Sequence, residues 1–413
     1  MDSERHARRI VVVLFSAMSL GSAASIANGT VNPIAGTALV GHTSWAGVPS
    51  AMILLGSAAS APLFGILMDR LGRRAALGLG LLVGLTGSGL SAVGLAVHSL
   101  VGFLAGLVLT GGASAALQLS RFAAAEVHPP SARGRAIANV VLGGTLGAVF
   151  GPALVAPAGA AAVRLGMDEL VGPIGVGIFL YLVAALLTFG FLRPDPRDLG
   201  REIAAQFPAA AVEGVRRSVG EVLRLPAARV AVSAMVIGQL VMVMLMVITS
   251  LHMRDHQHGL VSISAVISAH TLGMFAFSVV SGRLADRWGR RRVILLGSGI
   301  LLLASLTAPL SPDILPLAAS LFLLGLGWNL CFVGGSSLLA DQLRVDERGR
   351  AQGFNDLLIA LGSAVGSLGS GVVFAWVGFA VMAGIGAAFA LVPLMLAAVW
   401  MRQSTTPVTV GPG

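Results

Sequence analysis

A tight charged turn between two long apolar segments occurs twice in this chain. Residues 65–74 read GILMDRLGRR, and residues 282–291, which begin 217 positions later, read GRLADRWGRR. The residues that could do chemistry in each copy are an aspartate and several arginines, which can pair with each other or with charges on neighbouring elements. Gly72 would permit a close turn, and Asp69 is an anion that could sit at a helix N-terminus, where the helix dipole favours it.

A second pair of motifs repeats almost in step with the first. Residues 133–136 read RGRA and return as residues 348–351 after 215 positions. An acidic residue stands seven positions before each copy, Glu126 in the first and Asp341 in the second. Two motifs with nearly equal offsets indicate that the chain is one structural unit written twice.

Polar groups inside apolar runs form a second set of candidates. His270 lies ten residues into such a run, and its imidazole titrates near neutral pH, so it could carry a coupling proton. The alternative is a neutral histidine that is hydrogen-bonded to a neighbouring helix. Asp356 is a further proton-coupling candidate. Neutral groups at useful depth could contact a solute, although each could instead make an interhelical hydrogen bond: Asn28, Asn32, Gln118, Gln239, Trp328 and Asn329.

Other kinds of chemistry have few residues to support them. All 27 basic residues are arginine, so the chain cannot have a Gly-x4-Gly-Lys-Ser/Thr nucleotide loop. His252, His256 and His258 have the spacing of metal ligands, but Arg254 among them disfavours a cation, and a wet loop is the alternative. The sequence places no nucleophile, base and acid together at one depth, as a membrane-embedded active site would need. We therefore expect no enzyme, no cofactor and no bound metal.

The composition indicates a polytopic membrane protein. The chain is 56% hydrophobic and only 11% charged, whereas ordinary soluble domains carry about 25% charged residues. A soluble protein this apolar would lack polar side chains to cover its surface, and a bilayer removes that requirement. The net charge of +9 would suit nucleic acid only if it lay on one soluble face, so we expect no nucleic-acid partner.

The sequence predicts an all-α integral membrane fold with twelve transmembrane helices, since about 20 apolar residues cross a bilayer. The first run continues past Ala24 without a stop, so we interpret it as a span and not a cleaved signal peptide. The polar interval 193–228 is predicted to be a cytoplasmic linker between two six-helix bundles, 1–192 and 229–413. The predicted spans are 10–33, 46–68, 75–97, 100–125, 136–162, 171–192, 229–252, 260–284, 293–310, 314–339, 351–374 and 377–401.

The arginines predict the orientation in the membrane. With the N-terminus inside, 25 of the 27 arginines face the cytoplasm, and only Arg164 and Arg254 lie outside. Basic residues are enriched in cytoplasmic loops, so we expect both termini in the cytoplasm of a cell-membrane protein that is a monomer in the lipid bilayer.

At these residues the sequence resembles the major facilitator superfamily of secondary transporters. The shared marks are twelve helices arranged as six plus six, a long central cytoplasmic loop, and a Gly-x3-Asp-Arg-x-Gly-Arg-Arg turn after the second helix. The resemblance covers nearly the whole chain. It implies two helical bundles related by an axis along the membrane normal, a substrate cavity between them near the midplane, and transport by alternating access.

The resemblance also implies roles for the charged turns. Gly65 would let spans two and eleven approach, Asp69 would face span eleven near Gly349, and Arg73 would pair with Glu126. These contacts would latch the cytoplasmic side closed and break when it opens; alternatively, they only fix helix ends and topology. The motif residues are Gly65, Asp69, Arg70, Gly72, Arg73 and Glu126 in the first half, and Gly282, Asp286, Arg287, Gly289, Arg290 and Asp341 in the second.

The fifth span carries glycines at four-residue spacing, Gly143, Gly147 and Gly151, followed by Pro152. The spacing places the glycines on one face, and the proline should kink the helix. This pattern resembles the helix-five motif of drug/proton antiporters within the family, although a small-residue face is also ordinary packing in lipid. There are two departures from that group. Residues 153–155 read ALV where a glycine pair is often seen, and Leu107 stands where many such antiporters have a proton-coupling arginine.

These features predict a secondary active transporter for a small organic solute, with protons as the coupling ion. The leading hypothesis is proton-coupled efflux of drug-like or metabolite compounds. The alternative is an uptake symporter or uniporter for a specific small solute. We expect no carboxylate at the middle of the bilayer, where an ionised group is costly, so an acidic cation-binding cavity is disfavoured.

Overall fold

The computed structural model describes residues 2–129, 132–206, 217–343 and 347–403. Within these ranges the chain folds into α-helices joined by short loops and three short 3-10 turns, and no strand occurs. The helices are α1 Asp2–Val40, α2 Val48–Leu71, α3 Arg73–Ala96, α4 Leu100–Glu126, α5 Arg133–Phe150, α6 Val155–Arg164, α7 Val171–Phe191, α8 Pro196–Gln206, α9 Val219–Arg224, α10 Pro226–Asp255, α11 Leu260–Phe275, α12 Ser278–Trp288, α13 Arg290–Thr307, α14 Ile314–Asp341 and α15 Arg348–Gln403.

Eleven helical stretches of the described residues are long and apolar enough to cross a membrane, and ten of them each match one predicted span. The eleventh, Arg350–Trp400, contains 51 residues. A straight helix of that length would extend about 77 Å, more than twice the roughly 30 Å hydrocarbon core. Gly378 interrupts it with a φ of 77° and a ψ of 179°, so α15 supplies the last two predicted spans. The predicted all-α membrane fold is confirmed.

Contacts between Cα atoms divide the chain into two compact units. Unit 1 comprises Met1–Ala211 and Met253–Ser268, and unit 2 comprises Val212–His252 and Ala269–Gly413. An ion pair within unit 1, 3.2 Å between Arg254 Nη1 and Glu169 Oε2, ties its second segment to the loop before α7. The predicted division into 1–192, 193–228 and 229–413 stays a prediction.

The core of unit 1 forms where α1, α3, α4 and α7 pack together. Leu14, Leu81, Leu117 and Tyr181 are among its buried residues, and one side chain comes from each helix. The long apolar helices bury one face against each other, while leucines and valines on their other faces stay exposed. This is the arrangement expected of helices whose solvent is lipid, because lipid and core are equally apolar.

Two breaks interrupt helices inside the predicted spans. The first is at Gly151–Leu154, where α5 gives way to a 3-10 turn and then to α6. This break was predicted from Pro152, which cannot donate the helical hydrogen bond. The second is at residues 276–277, between α11 and α12. No proline marks it in the sequence, and a contact that accounts for it is described below.

The predicted linker contains two short helices in its described part, α8 and α9. The hydroxyl of Ser218 accepts a hydrogen bond from the backbone N–H of Glu221, whose carboxylate in turn accepts from the N–H and hydroxyl of Ser218. This reciprocal capping box starts α9. The hydrogen bonds from Ser218 hold the pKa of the Glu221 carboxyl below its usual value.

Candidate functional site

The charged turn of unit 1 forms a group of ion pairs that we call the first clasp: Asp69, Arg73 and Glu126. The guanidinium of Arg73 donates from Nη2 to Glu126 Oε1 at 2.7 Å and from Nε to Glu126 Oε2 at 2.9 Å. Its Nη1 lies 3.1 Å from Asp69 Oδ1. Arg73 is only 15% exposed, and a bidentate pair fixes both distance and direction. The clasp therefore joins the turn between α2 and α3 to the end of α4.

Asp195, which the sequence analysis did not single out, binds the backbone of the same turn. Its carboxylate accepts hydrogen bonds from the backbone N–H groups of Arg73 at 3.0 Å and Arg74 at 3.1 Å. These are free N–H groups of the first turn of α3, where an anion is favoured. The expectation that Asp69 could occupy a helix N-terminus is wrong, because Asp69 lies in the last turn of α2 and Asp195 takes that place.

Gly72 is required at this turn for two reasons. Its φ of +92° and ψ of 164° form a backbone conformation that side chains disfavour. A Cβ at this position would also overlap the carboxylate of Asp195. In unit 2, Gly289 has a similar conformation, φ +90° and ψ 144°, but a Cβ there would meet no heavy atom within 4 Å. The two turns share a backbone shape but differ in what packs beneath them.

The second clasp consists of Asp286, Arg290 and Asp341 in unit 2. Arg290 Nη1 lies 2.9 Å from Asp286 Oδ1, and Arg290 Nε lies 3.2 Å from Asp341 Oδ2. The second contact is an ion pair without hydrogen-bond geometry, since Arg290 Nε has no hydrogen-bond acceptor in the part of the chain that the structure describes. Asp341 is 51% exposed, against 34% for Glu126. The second clasp is therefore looser than the first.

The last arginine of each turn makes a further matching contact. In unit 1, Arg74 Nε donates to the carbonyl oxygen of Phe189 in α7 at 3.1 Å. In unit 2, Arg291 Nη1 donates to the carbonyl oxygen of Trp400 in α15 at 3.5 Å, and its guanidinium lies 3.7 Å from the centroid of that indole ring. The turn of unit 1 is thus attached to α7 and the turn of unit 2 to α15, so the sequence repeat is also a repeat of contacts.

The remaining motif residues make fewer contacts. Arg70 and Arg287 are exposed. A Cβ built on Gly65 or Gly282 would meet no heavy atom within 4 Å. The predicted approach of spans two and eleven at Gly65 stays a prediction.

A buried ion pair in unit 2 was also missed by the sequence analysis. Glu347 is 2% exposed and accepts from Arg217 Nε at 2.9 Å and Nη2 at 2.6 Å. The same Nη2 donates to the carbonyl oxygen of Gln342 at 2.7 Å. Arg217 thereby connects the residue before Ser218 and α9 to Gln342 and Glu347, which lie after α14 and before α15. No local pattern distinguishes Glu347 from the other acidic residues of the charged loops.

The three glycines of α5 and the turn after it lie on one face, as their spacing predicted, and in the structure that face contacts α1. A Cβ on Gly143 or Gly147 would collide with the carbonyl oxygen of Phe15 or Ser19, and one on Gly151 would lie 2.8 Å from the carbonyl oxygen of Ala23. The glycines therefore allow the backbones of the two helices to touch. Pro152 lies in the 3-10 turn that follows.

His270 is fully buried between α11 and α14. Its Nδ1 lies 2.9 Å from the carbonyl oxygen of Leu321, and since a carbonyl can only accept, Nδ1 carries a proton. Nε2 is buried without a hydrogen-bond partner among the described residues. The second proton-coupling candidate, Asp356, is exposed on α15.

Asn329 explains the break between α11 and α12. Its Nδ2 donates to the carbonyl oxygen of Met274 at 2.6 Å and to Ser278 Oγ at 2.9 Å, and its Oδ1 accepts from Ser281 Oγ. Irregular backbone at membrane depth is tolerated where protein groups satisfy it. These bonds all lie within unit 2 and favour a structural role, so the predicted solute contact of Asn329 stays a prediction.

Next to this break lies an aromatic–amide cluster, formed by Gln239, Phe275, Trp328 and Phe332. Trp328 Nε1 donates to Gln239 Oε1 at 2.7 Å. The indole stacks on Phe332 with 5.1 Å between ring centroids and meets the edge of Phe275 at 6.1 Å. Gln239 and Trp328 lie about halfway along α10 and α14, and both remain partly exposed. This cluster offers an aromatic face beside an amide near the middle of the span.

The polar candidates of unit 1 fall into two groups. Asn28 and Asn32 of α1 are 1% and 0% exposed, and their amide atoms have no hydrogen-bond partner in the described ranges. Ser88 of α3 is buried without a partner as well. Gln118 of α4 is exposed. Buried amides without partners cost about 1–3 kcal/mol each, and such groups inside a membrane protein commonly serve function.

The histidines near residue 255 do not come together as metal ligands. The ring of His252 stacks on Phe379, with centroids 4.2 Å apart, and meets the edge of Phe374. Among the residues for which the structure gives positions, no group of three or more His, Cys, Asp or Glu side chains is arranged to hold a metal ion.

Comparison with known families and structures identifies what the chain and its fold are similar to. The model of the Major Facilitator Superfamily matches residues 12–259 and 230–412. A bacterial homologue of the human lysosomal transporter Spinster, solved in an inward-facing and occupied conformation, superposes with a TM-score of 0.66 at 15% identity. The match covers 96% of each chain.

Three relatives of known sequence carry names that state different transported solutes or none. YdeG, an uncharacterized MFS-type transporter of Bacillus subtilis strain 168, is 33% identical over 96% of this chain and 92% of its own length. The riboflavin transporter RfnT of Brucella anthropi is 28% identical over 87% of both chains. The multidrug resistance protein MdtL of Shigella flexneri is 36% identical, but over only 21% of either chain.

Proposed function

The chain belongs to the major facilitator superfamily, a family of membrane transporters and not of enzymes, and from this premise we propose that it is a proton-coupled exporter of small organic solutes. It works by alternating access, with its arginine-rich loops in the cytoplasm. The observation that carries this proposal is the clasp repeated in the two units. The first clasp joins the turn between α2 and α3 to the end of α4, and the second joins the turn between α12 and α13 to the end of α14.

The strength of the clasps suits a latch that opens in every cycle. Partly exposed ion pairs contribute about 0.2–1 kcal/mol each, whereas removing one partner of a buried pair costs about 3–5 kcal/mol because the other charge is left unpaired. Contacts of this size can hold one conformation and still break at a useful rate. In the proposed cycle, Arg73–Glu126 and Arg290–Asp341 form when the cytoplasmic side is closed and break when it opens.

His270 is the proposed carrier of the coupling proton. Its support is geometric, because the buried Nε2 has no hydrogen-bond partner among the described residues, and such an acceptor costs about 1–3 kcal/mol. A proton or a donor group of the solute would relieve that cost. The competing role is structural, since Nδ1 already holds the carbonyl of Leu321 and so joins two helices.

The proposed direction of transport rests on the fifth helix. Its glycine face and Pro152 resemble the motif of drug/proton antiporters, and the partial match to MdtL points the same way. The candidate solute contacts are neutral: Asn28, Asn32, Gln118 and Gln239. A mostly apolar site with a few neutral polar groups suits a lipophilic, neutral or weakly cationic solute.

The second candidate function is uptake of one specific solute. Two observations favour it: the relation to the riboflavin transporter RfnT, which extends over most of both chains, and the aromatic–amide cluster around Trp328. A flat heteroaromatic ring could stack on the indole while its edge bonds to the amide of Gln239. Riboflavin is therefore the first specific solute to test.

Flux into proteoliposomes under an imposed pH gradient separates the two candidates. The purified chain is given either a fluorescent lipophilic cation or riboflavin. An exporter moves the cation against the proton flow, and reversing the pH gradient reverses the flux. In His270→Gln that dependence should be lost, while His42→Gln, which changes an exposed histidine outside the spans, should behave as the parent. Transport of riboflavin alone would favour the uptake alternative.

A further inference from the structure

We propose that unit 1 binds an anionic glycerophospholipid in a groove between the start of α1 and the end of α7. The groove has a volume of about 470 Å³. One wall is the first turns of α1, and the other includes Phe191 at the end of α7. None of the residues that line the groove belongs to a clasp or to the solute candidates, so the proposal does not depend on which solute the protein moves.

One face of α1 changes from charged to apolar along the groove. Arg5, Arg8 and Arg9 come first, and Val12 and Val13 follow. Residues three and four apart in a helix lie on the same face, so the three guanidinium groups stand above the valines. Such a face matches a lipid, which carries a charged headgroup above apolar chains.

The arginines of the groove have no acidic partner in the part of the chain that the structure describes. Arg5, Arg8 and Arg9 are exposed, and none forms an ion pair there, in contrast to Arg73 and Arg290 of the clasps. Glu4 and Arg8 line the adjoining cleft, but they are not paired. Guanidinium groups bind phosphate through two parallel hydrogen bonds, so the groove presents three phosphate-binding groups.

The apolar wall of the groove favours a lipid over a free phosphate ion as the ligand. Val12 is 57% exposed and Phe191 52% exposed, and both lie where acyl chains would run beneath the headgroup. The guanidinium of Arg9 lies 5.8 Å from the centroid of the Phe191 ring, and both residues line the groove. A free anion would use the arginines but would gain nothing from these side chains.

The competing explanation is that these arginines only set the orientation of α1 in the membrane. In that case any equal loss of positive charge on the same side would have the same effect on lipid binding. The geometry predicts a difference, because three arginines of one groove act on one headgroup. Arginines that are spread over other elements cannot all contact the same headgroup.

The test uses the full chain in a neutral detergent with water-soluble, short-chain lipids. Phosphatidylglycerol should bind, as retained lipid in native mass spectra and as a raised thermal midpoint, whereas phosphatidylcholine and inorganic phosphate should not. The triple change Arg5→Gln, Arg8→Gln and Arg9→Gln should weaken phosphatidylglycerol binding by about a hundredfold, and each single change by about fivefold. The control triple removes the same charge elsewhere, at Arg201, Arg224 and Arg283, and should change binding by less than about twofold.

Three outcomes would overturn the proposal. Equal losses of phosphatidylglycerol binding in the two triple variants would show that the lipid is held only by the general positive charge of the protein. Competition by inorganic phosphate at the same concentration as the lipid would identify a free-anion site. Unchanged binding in Phe191→Ala would remove the apolar wall from the site. If the groove triple does not fold, the three single variants decide, and the absence of any loss in all three contradicts the proposal.

Discussion

Replacing Glu126 by glutamine removes the charge that Arg73 faces in the first clasp while keeping the size of the side chain. One hydrogen bond to the guanidinium can remain, but the bidentate ion pair, at 2.7 and 2.9 Å, is lost. If the clasp holds one conformation of the transport cycle, this change should shift the equilibrium toward the other conformation.

The size of the shift follows from the exposure of the pair. Exposed ion pairs are worth about 0.2–1 kcal/mol, whereas breaking a buried pair costs about 3–5 kcal/mol. Arg73 is 15% exposed and Glu126 34%, and Asp69 still neutralises part of the charge of Arg73. We therefore expect about 1.4 kcal/mol, which is about tenfold in the ratio of the two conformations.

The second clasp supplies an internal comparison. Asp341 is 51% exposed and its contact with Arg290, at 3.2 Å, is a single ion pair. Asp341→Asn should therefore shift the equilibrium by about 0.4 kcal/mol, or about twofold. Glu202→Gln, which changes an exposed acid of α8, is the matched control and should leave the ratio unchanged.

Distances between spin labels in the first turns of α5 and α15 measure this ratio directly. The labels can be placed at Arg135 and Arg350, which are both exposed, in a Cys331→Ser background. The reasoning is refuted if Glu126→Gln and Asp341→Asn shift the populations equally. It is also refuted if neither variant differs from Glu202→Gln.

The remaining predictions concern the contacts around the clasps and the helix break. Gly72→Ala should lower the unfolding free energy by about 2 kcal/mol more than Gly289→Ala, because both strain the backbone but only the first displaces Asp195; equal thermal midpoints in detergent would contradict this. Glu347→Gln should cost about 2 kcal/mol, since it leaves Arg217 without its buried charge, and a midpoint like that of the parent would rule this out. Asn329→Leu removes three hydrogen bonds and should cost about 3 kcal/mol. Hydrogen exchange should rise at residues 274–281 in that variant, and unchanged protection there would mean that Asn329 does not hold the break.

Features fixed by local pattern could be predicted from the sequence. Twelve spans follow from hydropathy, and the break at Gly151–Leu154 follows from Pro152. The Arg73–Glu126 contact is the exception, because it was inferred from resemblance to a family whose members share the turn. The residues that match the motif in unit 2, Arg290 and Asp341, also meet, although less tightly.

Features that depend on distant residues could not be predicted. Asp195 lies 122 residues after Arg73, so its role as the cap of α3 depends on the tertiary fold and cannot be read from local sequence. The break between α11 and α12 is held by Asn329, which lies 55 residues beyond Met274. The burial of Glu347 depends on Arg217 of the linker, 130 residues earlier. In each case a polar side chain binds a backbone group or a charge that lies far away in the sequence and has no such partner among its own neighbours in the chain.

The measurement that tests the account most directly is the direction of flux in proteoliposomes when only the pH gradient is changed. With equal solute concentrations on the two sides, the account predicts net movement of a lipophilic cation against the proton flow, reversal of that movement when the gradient is reversed, and loss of both in His270→Gln. Flux that follows the solute gradient alone and ignores the pH gradient in the parent protein would contradict it.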